Sequence, residues 1–176
     1  MIDDTSLAER AKKIRLVLMD VDGVLTDGSL IYAPEGGDTK AFHVRDGAGI
    51  RLAQRAGIQS GIISGRESEV VTRRAEELGM TEVHQRVDDK LATYREIAGR
   101  LGLADEQVCY VGDDLVDVAV MKVVGLPAAP ADAHPAVLPY AALVARCAGG
   151  HGAIRDILDR ILQAQGLWAE VTAHYL

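Results

Sequence analysis

Short apolar runs alternate with amphipathic stretches along most of the chain. This alternation predicts a doubly wound α/β fold with a mostly parallel sheet. The predicted strands are 14–19, 61–63, 82–85, 108–111, and two edge strands at 126–128 and 142–144. The predicted helices are 7–13, a helix capped by Asp46-Gly47 and ending at Gly57, 67–78, 90–101, a helix near 115–123, and 152–165.

The segment from about 28 to 45 departs from that alternation. Two strand-like runs, 30–32 and 40–44, flank turn-forming residues at 34–38, which predicts a β-hairpin projecting from the sheet. The hairpin should expose Leu30, Tyr32, Phe42 and Val44, and exposed apolar edges favour association. We therefore expect a homo-oligomer.

No second domain is indicated between residues 1 and 176. The tail 166–176 carries Trp168, the only tryptophan of the chain, and has no evident partner within the domain. It is expected either to anchor locally or to dock on a neighbouring subunit.

Composition narrows the possible partners. Apolar residues make up 48% of the chain and aromatic residues 4%, which fits a core of aliphatic parallel strands. A net charge of −7 argues against binding nucleic acid.

Cys109 and Cys147 form neither a disulfide framework nor a zinc motif. Without a membrane-span pattern or the features of a signal peptide, the protein is expected to be cytoplasmic.

The strongest chemical signal is Asp20-Val21-Asp22-Gly23, directly after a predicted strand. Two carboxylates one residue apart need a cation or a shared proton, and hard oxygen ligands suit Mg²⁺. A solvated acidic turn is the commoner explanation of an isolated Asp-x-Asp, so the interpretation depends on the motifs further along the chain.

Three further polar motifs come after predicted strands, namely Ser64-Gly65-Arg66, Lys90, and the run 112–117 with Asp113, Asp114 and Asp117. Singly, they could be helix caps or solvated charges. Because ligands of doubly wound sheets bind beyond the carboxyl ends of the strands, the motifs should converge. Together they supply a nucleophile, a proton donor, phosphate-binding groups and metal ligands, the set that phosphoryl transfer requires.

In these four motifs, present in order, the chain resembles the haloacid dehalogenase superfamily of aspartate-nucleophile phosphatases. Larger members of that superfamily carry a cap domain, but the gaps between these motifs are too short for one, so we expect a capless domain whose site a neighbouring subunit, or its tail, closes. The resemblance implies that Asp20 forms an aspartyl-phosphate and that Asp22 is the general acid and base. It also implies that Ser64 and Lys90 hold the phosphoryl group. Mg²⁺ would be bound by Asp20, the Asp22 main-chain carbonyl and Asp113, while Asp114 and Asp117 would orient those ligands.

Longer runs, including 40–47, 110–117, 131–135 and 148–153, extend the resemblance over about 14–165. Within the superfamily they resemble the phosphatases of 3-deoxy-D-manno-octulosonate 8-phosphate, a family of tetramers whose neighbouring subunits complete each site, so a homotetramer is expected. The implied activity belongs to lipopolysaccharide sugar-acid synthesis. The alternatives are a nonulosonate 9-phosphate substrate and a non-catalytic oligomerisation or regulatory module.

Substrate contacts are expected along the hairpin base and the helices that start at the active edge. His43 stands where the family pattern has asparagine. The candidate arginines, Arg45, Arg51, Arg66 and Arg74, could instead be surface residues that pair with Glu67, Glu69 or Glu76. Arg66 is the strongest arginine candidate because it comes directly after Ser64-Gly65, and arginine suits both the carboxylate and the phosphate of a sugar acid phosphate. The full candidate set is Asp22, His43, Val44, Arg45, Asp46, Gly47, Arg51, Gly65, Arg66, Arg74 and Lys90.

Overall fold

A six-stranded parallel sheet forms the centre of the molecule in the computed structural model, which describes residues 4–34 and 36–175. Glu35 of the predicted hairpin turn, Leu176 of the predicted tail and residues 1–3 lie outside these ranges. The strands are β1 (Leu16–Met19), β4 (Gln59–Ile63), β5 (Glu82–His84), β6 (Val108–Val111), β7 (Leu126–Ala129) and β8 (Leu143–Val144). Their spatial order is β5-β4-β1-β6-β7-β8. The predicted doubly wound fold is confirmed.

Seven helices accompany the strands in the described ranges. They are α1 (Asp4–Lys12), α2 (Val44–Arg55), α3 (Glu69–Leu78), α4 (Lys90–Leu101), α5 (Val118–Met121), α6 (Ala153–Ala164) and α7 (Trp168–Thr172). None of the helices in the described part of the chain is long and apolar enough to cross a membrane.

Two apolar layers enclose the sheet, and β1 shows the alternation that separates them. Val17 and Met19 join a cluster with residues of α1, α2, α3, α6 and α7, whereas Leu16 and Leu18 join one with residues of α4 and α5. All four β1 side chains are buried. The apolar run before Asp20 therefore holds that residue rigidly at the carboxyl edge of the sheet.

The expectation that 126–128 is an edge strand was wrong. β7 pairs with β6 on one side and with β8 on the other, so β8 forms the edge. Pro127 lacks an amide proton, yet its carbonyl accepts a 2.8 Å hydrogen bond from the Ala142 amide. The sheet can thus accept a proline at this position, because Pro127 lacks only the amide donor and its carbonyl still accepts a hydrogen bond.

The hairpin is present, but its second strand lies earlier than predicted. β2 (Ile31–Tyr32) pairs with β3 (Asp38–Thr39), not with 40–44, and Val44 already begins α2. Leu30, Tyr32 and Val44 are exposed as expected, whereas Phe42 is half-buried against the core. This segment is held by the ion pairs of Lys40 with Asp22 and Asp38 instead of by strand pairing. A pattern of apolar residues does not predict such ion pairs.

The tail packs against its own chain, which is the first of the two expected arrangements, although the sequence showed no evident partner for it. Helix α7 buries Val171 and packs Trp168 against the core, with the Arg155 guanidinium 5.7 Å from the Trp168 ring centre. Beyond it, the Tyr175 hydroxyl accepts a 3.1 Å hydrogen bond from Arg55 at the end of α2. That end lies opposite the carboxyl edge where α2 begins, so the tail anchors locally.

Deleting residues 167–176 should lower stability without changing catalysis. The deletion exposes the apolar surface of α2 and α6 that Val171 and Trp168 cover, costing about 2–4 kcal/mol. For a chain of this size the melting temperature should fall by about 5–10 °C. Thermal unfolding and kcat/KM measure the two effects. A control that lacks only 174–176 keeps α7 and should melt near wild type, and altered kcat/KM in the longer deletion would contradict the local assignment.

Candidate active site

The motifs predicted from the sequence meet in one cavity of about 280 Å³ at the carboxyl edge of the sheet. It lies beyond β1, β4 and β6, at the edge where doubly wound folds bind ligands. The side chains and backbone that line it include Asp20, Asp22, Ser64, Gly65, Arg66, Asp88, Lys90, Asp113 and Asp114.

Asp20, Lys90 and Asp117 form a buried charged group at the floor of this cavity. The Lys90 ammonium lies 3.0 Å from Asp20 Oδ1 and 2.7 Å from Asp117 Oδ1. Burial acts to lower the pKa of Lys90, but the two carboxylates outweigh it, so the net shift is upward. Lys90 therefore stays an ammonium directly beside Asp20, where it can stabilise a transferring phosphoryl group.

Asp117 uses all its acceptor capacity inside the protein. Its Oδ1 also accepts a 2.7 Å hydrogen bond from the Tyr110 hydroxyl, and its Oδ2 accepts from the amides of Asp113 and Asp114 at 3.1 and 3.2 Å. Such a saturated carboxylate fixes the positions of the groups that donate to it. Asp114 is exposed and caps a short 3₁₀ turn through the Leu115 amide at 2.7 Å.

Asp113 is the carboxylate with unused capacity. Its Oδ1 is buried and has no hydrogen-bond partner among the described residues. Burial first, then the charges of Asp20, Asp117 and Asp114, raise its pKa to about 7. Gly23 leaves the space that this group occupies, since a Cβ at that position would overlap the Asp113 carboxylate.

A cation would satisfy this arrangement. One carboxylate oxygen from each of Asp20, Asp113 and Asp117 lies within 4.8 Å of the others. Burial, followed by the Asp117 charge, raises the pKa of Asp20 to about 6 despite Lys90. Since Asp117 is already saturated, Asp20 and the unpartnered Asp113 are the side chains that fit an oxygen-ligated divalent metal.

Ser64 and Gly65 lead from β4 into the cavity. Ser64 is buried, and its backbone is fixed by hydrogen bonds from its amide to His84 and from the Val87 amide to its carbonyl. Its hydroxyl accepts from the Arg66 amide at 3.3 Å, so the Ser64-Gly65-Arg66 turn is locally ordered. The cap of the next helix is Ser68, so Ser64 is not the helix cap that its motif could also have been.

Asp22 stands between two cations. Its Oδ2 lies 3.6 Å from Arg66 Nε, and its Oδ1 accepts a hydrogen bond from Lys40 Nζ. Sequence reasoning identified Arg66 but gave Lys40 no role, counting it only in a predicted strand and in the run 40–47 that extends the family resemblance. A lysine preceding an apolar pair carries no sequence signal that distinguishes it from a solvated one.

Asp46 and Gly47 are buried in a helix contact and do not line the cavity. The Asp46 carboxylate accepts from the amides of Gly152 and Arg155 at 3.2 and 2.8 Å, which satisfies the start of α6. Burial outweighs these bonds and raises the pKa of Asp46. A Cβ at Gly47 would overlap Arg74, so glycine permits the close packing of α2 on α3. His43 is half-buried at the start of α2, and its Nδ1 has no partner among the described residues.

The remaining candidates lie on the outer surface of α2 and α3. Val44 and Arg45 are exposed, and Arg51 donates to the Glu77 carbonyl. Arg74 lies 3.3 Å from the Glu77 carboxylate and 5.8 Å from the Phe42 ring centre. Within one subunit these residues are outside the cavity lining, so among the four arginines only Arg66 reaches it.

Comparison with known proteins agrees with this geometry. A family model for haloacid dehalogenase-like hydrolases matches residues 38–125. The chain is 47% identical over 157 residues to the 3-deoxy-D-manno-octulosonate 8-phosphate phosphatase KdsC of Escherichia coli K12, covering 89% of this chain and 84% of that protein. The corresponding Yersinia pestis protein is 48% identical, with the same coverage.

Solved structures show the same relationship. The crystal structure of the Yersinia pestis phosphatase has a TM-score of 0.92 at 46% identity, covering 95% of this chain and 90% of that one. The Moraxella catarrhalis phosphatase, solved with a magnesium ion, a phosphate ion and a KDO molecule, has a TM-score of 0.96 at 36% identity, covering 99% and 100%. The chain therefore belongs to the haloacid dehalogenase-like hydrolases and, within them, to the family of 3-deoxy-D-manno-octulosonate 8-phosphate phosphatases.

Proposed function

We propose that this protein is a magnesium-dependent phosphatase that releases phosphate from 3-deoxy-D-manno-octulosonate 8-phosphate in lipopolysaccharide sugar-acid biosynthesis. The observation that carries the proposal is the meeting of Asp20, Lys90, Ser64 and Asp22 in one cavity. The magnesium, phosphate and KDO bound to the Moraxella catarrhalis relative support this substrate over a nine-carbon one. A complete set of reactive groups also argues against a non-catalytic module.

Asp20 is the nucleophile in this proposal. Its carboxylate oxygen attacks phosphorus, the bond from phosphorus to the sugar oxygen breaks, and Asp22 gives that oxygen its proton. Asp22, now a carboxylate, removes a proton from the water that attacks the aspartyl-phosphate. Inorganic phosphate leaves, and both carboxyl groups return to their starting states.

The positive groups of the site oppose the repulsion between nucleophile and substrate. Two anions 4 Å apart repel by about 4 kcal/mol at an effective dielectric constant of 20. Lys90 offsets this because its ammonium is fixed 3.0 Å from Asp20 Oδ1. The Ser64 hydroxyl and the Arg66 guanidinium add donors for the phosphoryl oxygens.

Magnesium would be held by the Asp20 side chain, the Asp22 main-chain carbonyl and Asp113, with Asp114 and Asp117 orienting the loop. The buried, unpartnered Asp113 Oδ1 supports this assignment. When bound, the ion supplies positive charge that neutralises the phosphoryl oxygens. Asp117 contributes by fixing Lys90 and the amides of Asp113 and Asp114.

For the sugar acid itself, Gly65 and Arg66 are the contacts nearest to the reacting groups, and Arg66 suits the substrate carboxylate. His43, Val44, Arg45, Arg51 and Arg74 keep a proposed role only where a neighbouring subunit brings α2 and α3 to another cavity. Asp46 and Gly47 are buried and would support that surface only through the packing of α2. We propose one capless domain over 1–176. Cytoplasmic location stays a prediction.

A homotetramer would provide that neighbour. The hairpin presents Leu30, Ile31 and Tyr32 with 43%, 54% and 67% of their surface exposed. Three adjacent apolar side chains at this exposure favour self-association through the hairpin.

Asp20→Asn should reduce phosphate release by about 10³-fold or more while the protein remains folded. The substitution removes the nucleophilic oxygen but keeps the volume of the side chain in its buried site. Phosphate-release kinetics and circular dichroism measure both effects. Asp27→Asn alters an exposed carboxylate in the same loop and should remain near wild type. Near-normal turnover by Asp20→Asn would rule out the covalent mechanism.

Without magnesium, the stability contributed by the acidic cluster should fall as the pH rises. Folding raises the pKa of Asp20 to about 6 and that of Asp113 to about 7, above their ordinary 3.8. Both groups favour the fold while protonated, so this contribution is complete below pH 3.8 and is lost as the pH rises through about 6 and 7. Thermal unfolding in excess chelator, between about pH 3.5 and about pH 8, measures the loss.

Asp113→Asn isolates this effect from the other titrating groups. In chelator at high pH it should melt about 2–4 °C above wild type, and this advantage should vanish at low pH. Added Mg²⁺ should restore the activity of the wild type and raise the melting temperature of the wild type. The melting temperature of Asp113→Asn should not change. Glu170→Gln, an exposed change on α7, serves as the control. Full activity of wild type in excess chelator would refute the metal requirement.

Ile31→Asp should split the proposed tetramer, because it places a charge in the apolar hairpin surface. Light scattering at micromolar concentration should show the mass of four chains for wild type and a smaller mass for the variant. Val144→Asp, at a similarly apolar exposed position on β8, should leave the mass unchanged. A monomeric wild type would contradict the proposal.

A further inference from the structure

Lys40 is a buried lysine that no catalytic motif includes. Only 1% of its side chain is exposed, although it comes after a short hairpin at the surface. Its ammonium donates to Asp22 Oδ1 and lies 3.5 Å from Asp38 Oδ2. Removing an ammonium from water is costly unless it is paired, so these two carboxylates are the reason the side chain can be buried.

The Lys40 contact makes the two oxygens of Asp22 inequivalent. An ammonium has three donors and no acceptor, so the oxygen facing it acts as an acceptor in either protonation state of Asp22. Arg66 likewise has only donors, but its Nε lies 3.6 Å from Oδ2, beyond hydrogen-bond distance, so among the described residues only Oδ1 accepts a hydrogen bond from a cation. When Asp22 is a carboxylic acid, its proton is therefore on Oδ2, on the side of the cavity lining.

We propose that Lys40 is a positioning residue that fixes the Asp22 carboxyl group so that Oδ2 gives its proton to the leaving oxygen. The inference deepens the proposed function and rests on it. As the bond from phosphorus to the sugar oxygen breaks, the proton moves from Asp22 Oδ2 to that oxygen. The products of this step are the free alcohol and an Asp22 carboxylate that still accepts from Lys40 through Oδ1.

A second set of bonds fixes Lys40 itself. Asp38, at the start of β3, accepts a 2.8 Å hydrogen bond from the Ser68 hydroxyl at the start of α3. The Ser68 amide in turn donates to the Gln85 side chain at 2.8 Å. The hairpin is thus attached to the scaffold on the far side of Lys40, so the lysine is held from both ends.

Leaving-group dependence tests the proposal. An alkyl phosphate such as the sugar acid phosphate needs a proton on its leaving oxygen, whereas p-nitrophenyl phosphate loses a stabilised phenolate. Lys40→Met should lower kcat by about 10–100-fold for the sugar acid phosphate, a part of the usual contribution of general acid catalysis, and by less than about threefold for the aryl phosphate. KM for both substrates should change little.

Two companion variants grade the loss of positioning. Lys40→Gln keeps a donor near Asp22 and should recover part of the kcat, and it also serves if Lys40→Met does not fold by circular dichroism. Ser68→Ala frees Asp38 from the start of α3 and so loosens one of the two attachments of Lys40. Its loss of kcat should be smaller than that of Lys40→Met and should again be greater for the sugar acid phosphate. Equal losses on both substrates for Lys40→Met would overturn the proposal.

A double-mutant cycle with Asp22→Asn completes the test. If Lys40 acts through Asp22, Lys40→Met should reduce kcat little further in the Asp22→Asn background, and the two effects should be strongly non-additive. Additive losses would contradict the proposal. Failure of the proposed function would look different, since wild type would then not hydrolyse the sugar acid phosphate.

Discussion

The pairing of Lys90 with Asp20 and Asp117 inside the protein is the interaction on which the site depends. Lys90 is the first residue of α4, Asp20 comes directly after β1, and Asp117 lies in the turn after β6. Three elements are thus tied at one buried point. Removing Lys90 would leave two carboxylates without their shared cation in a poorly solvated place, which is far more costly than losing a surface ion pair.

The remaining charges divide between the two sides of the cavity. Beside Lys90, the carboxylates outnumber the ammonium, which is why burial and mutual repulsion raise the pKa values of Asp20 and Asp113. Beside Asp22 the charges are balanced, since two cations, Lys40 and Arg66, face the carboxylates of Asp22 and Asp38. The proposed nucleophile Asp20 and the proposed acid Asp22 therefore occupy different electrostatic surroundings only two residues apart in the chain.

The hairpin and the tail show where local patterns lose their predictive value. Apolar residues at 40–44 favoured a strand, but a buried ion pair of Lys40 and the start of α2 at Val44 determine the backbone there. Trp168 lacked a visible partner because its contacts lie on α6 and the core, distant in sequence. In both places the deciding interactions connect residues that a short sequence window cannot relate.

The sequence by itself determined the doubly wound sheet and the motif residues at the ends of its strands, because a buried strand and the turn after it are local features. It also brought Asp20, Asp22, Ser64, Lys90 and Asp113 into one hypothesis, since parallel strands share their carboxyl edge. Only the tertiary structure decided that Asp46 serves the start of α6, that Arg66 alone of four candidate arginines reaches the cavity, and that Lys40 is buried against Asp22. Those outcomes depend on the relative placement of separate elements, and a charged residue has the same letter whether it is solvated or buried beside a carboxylate.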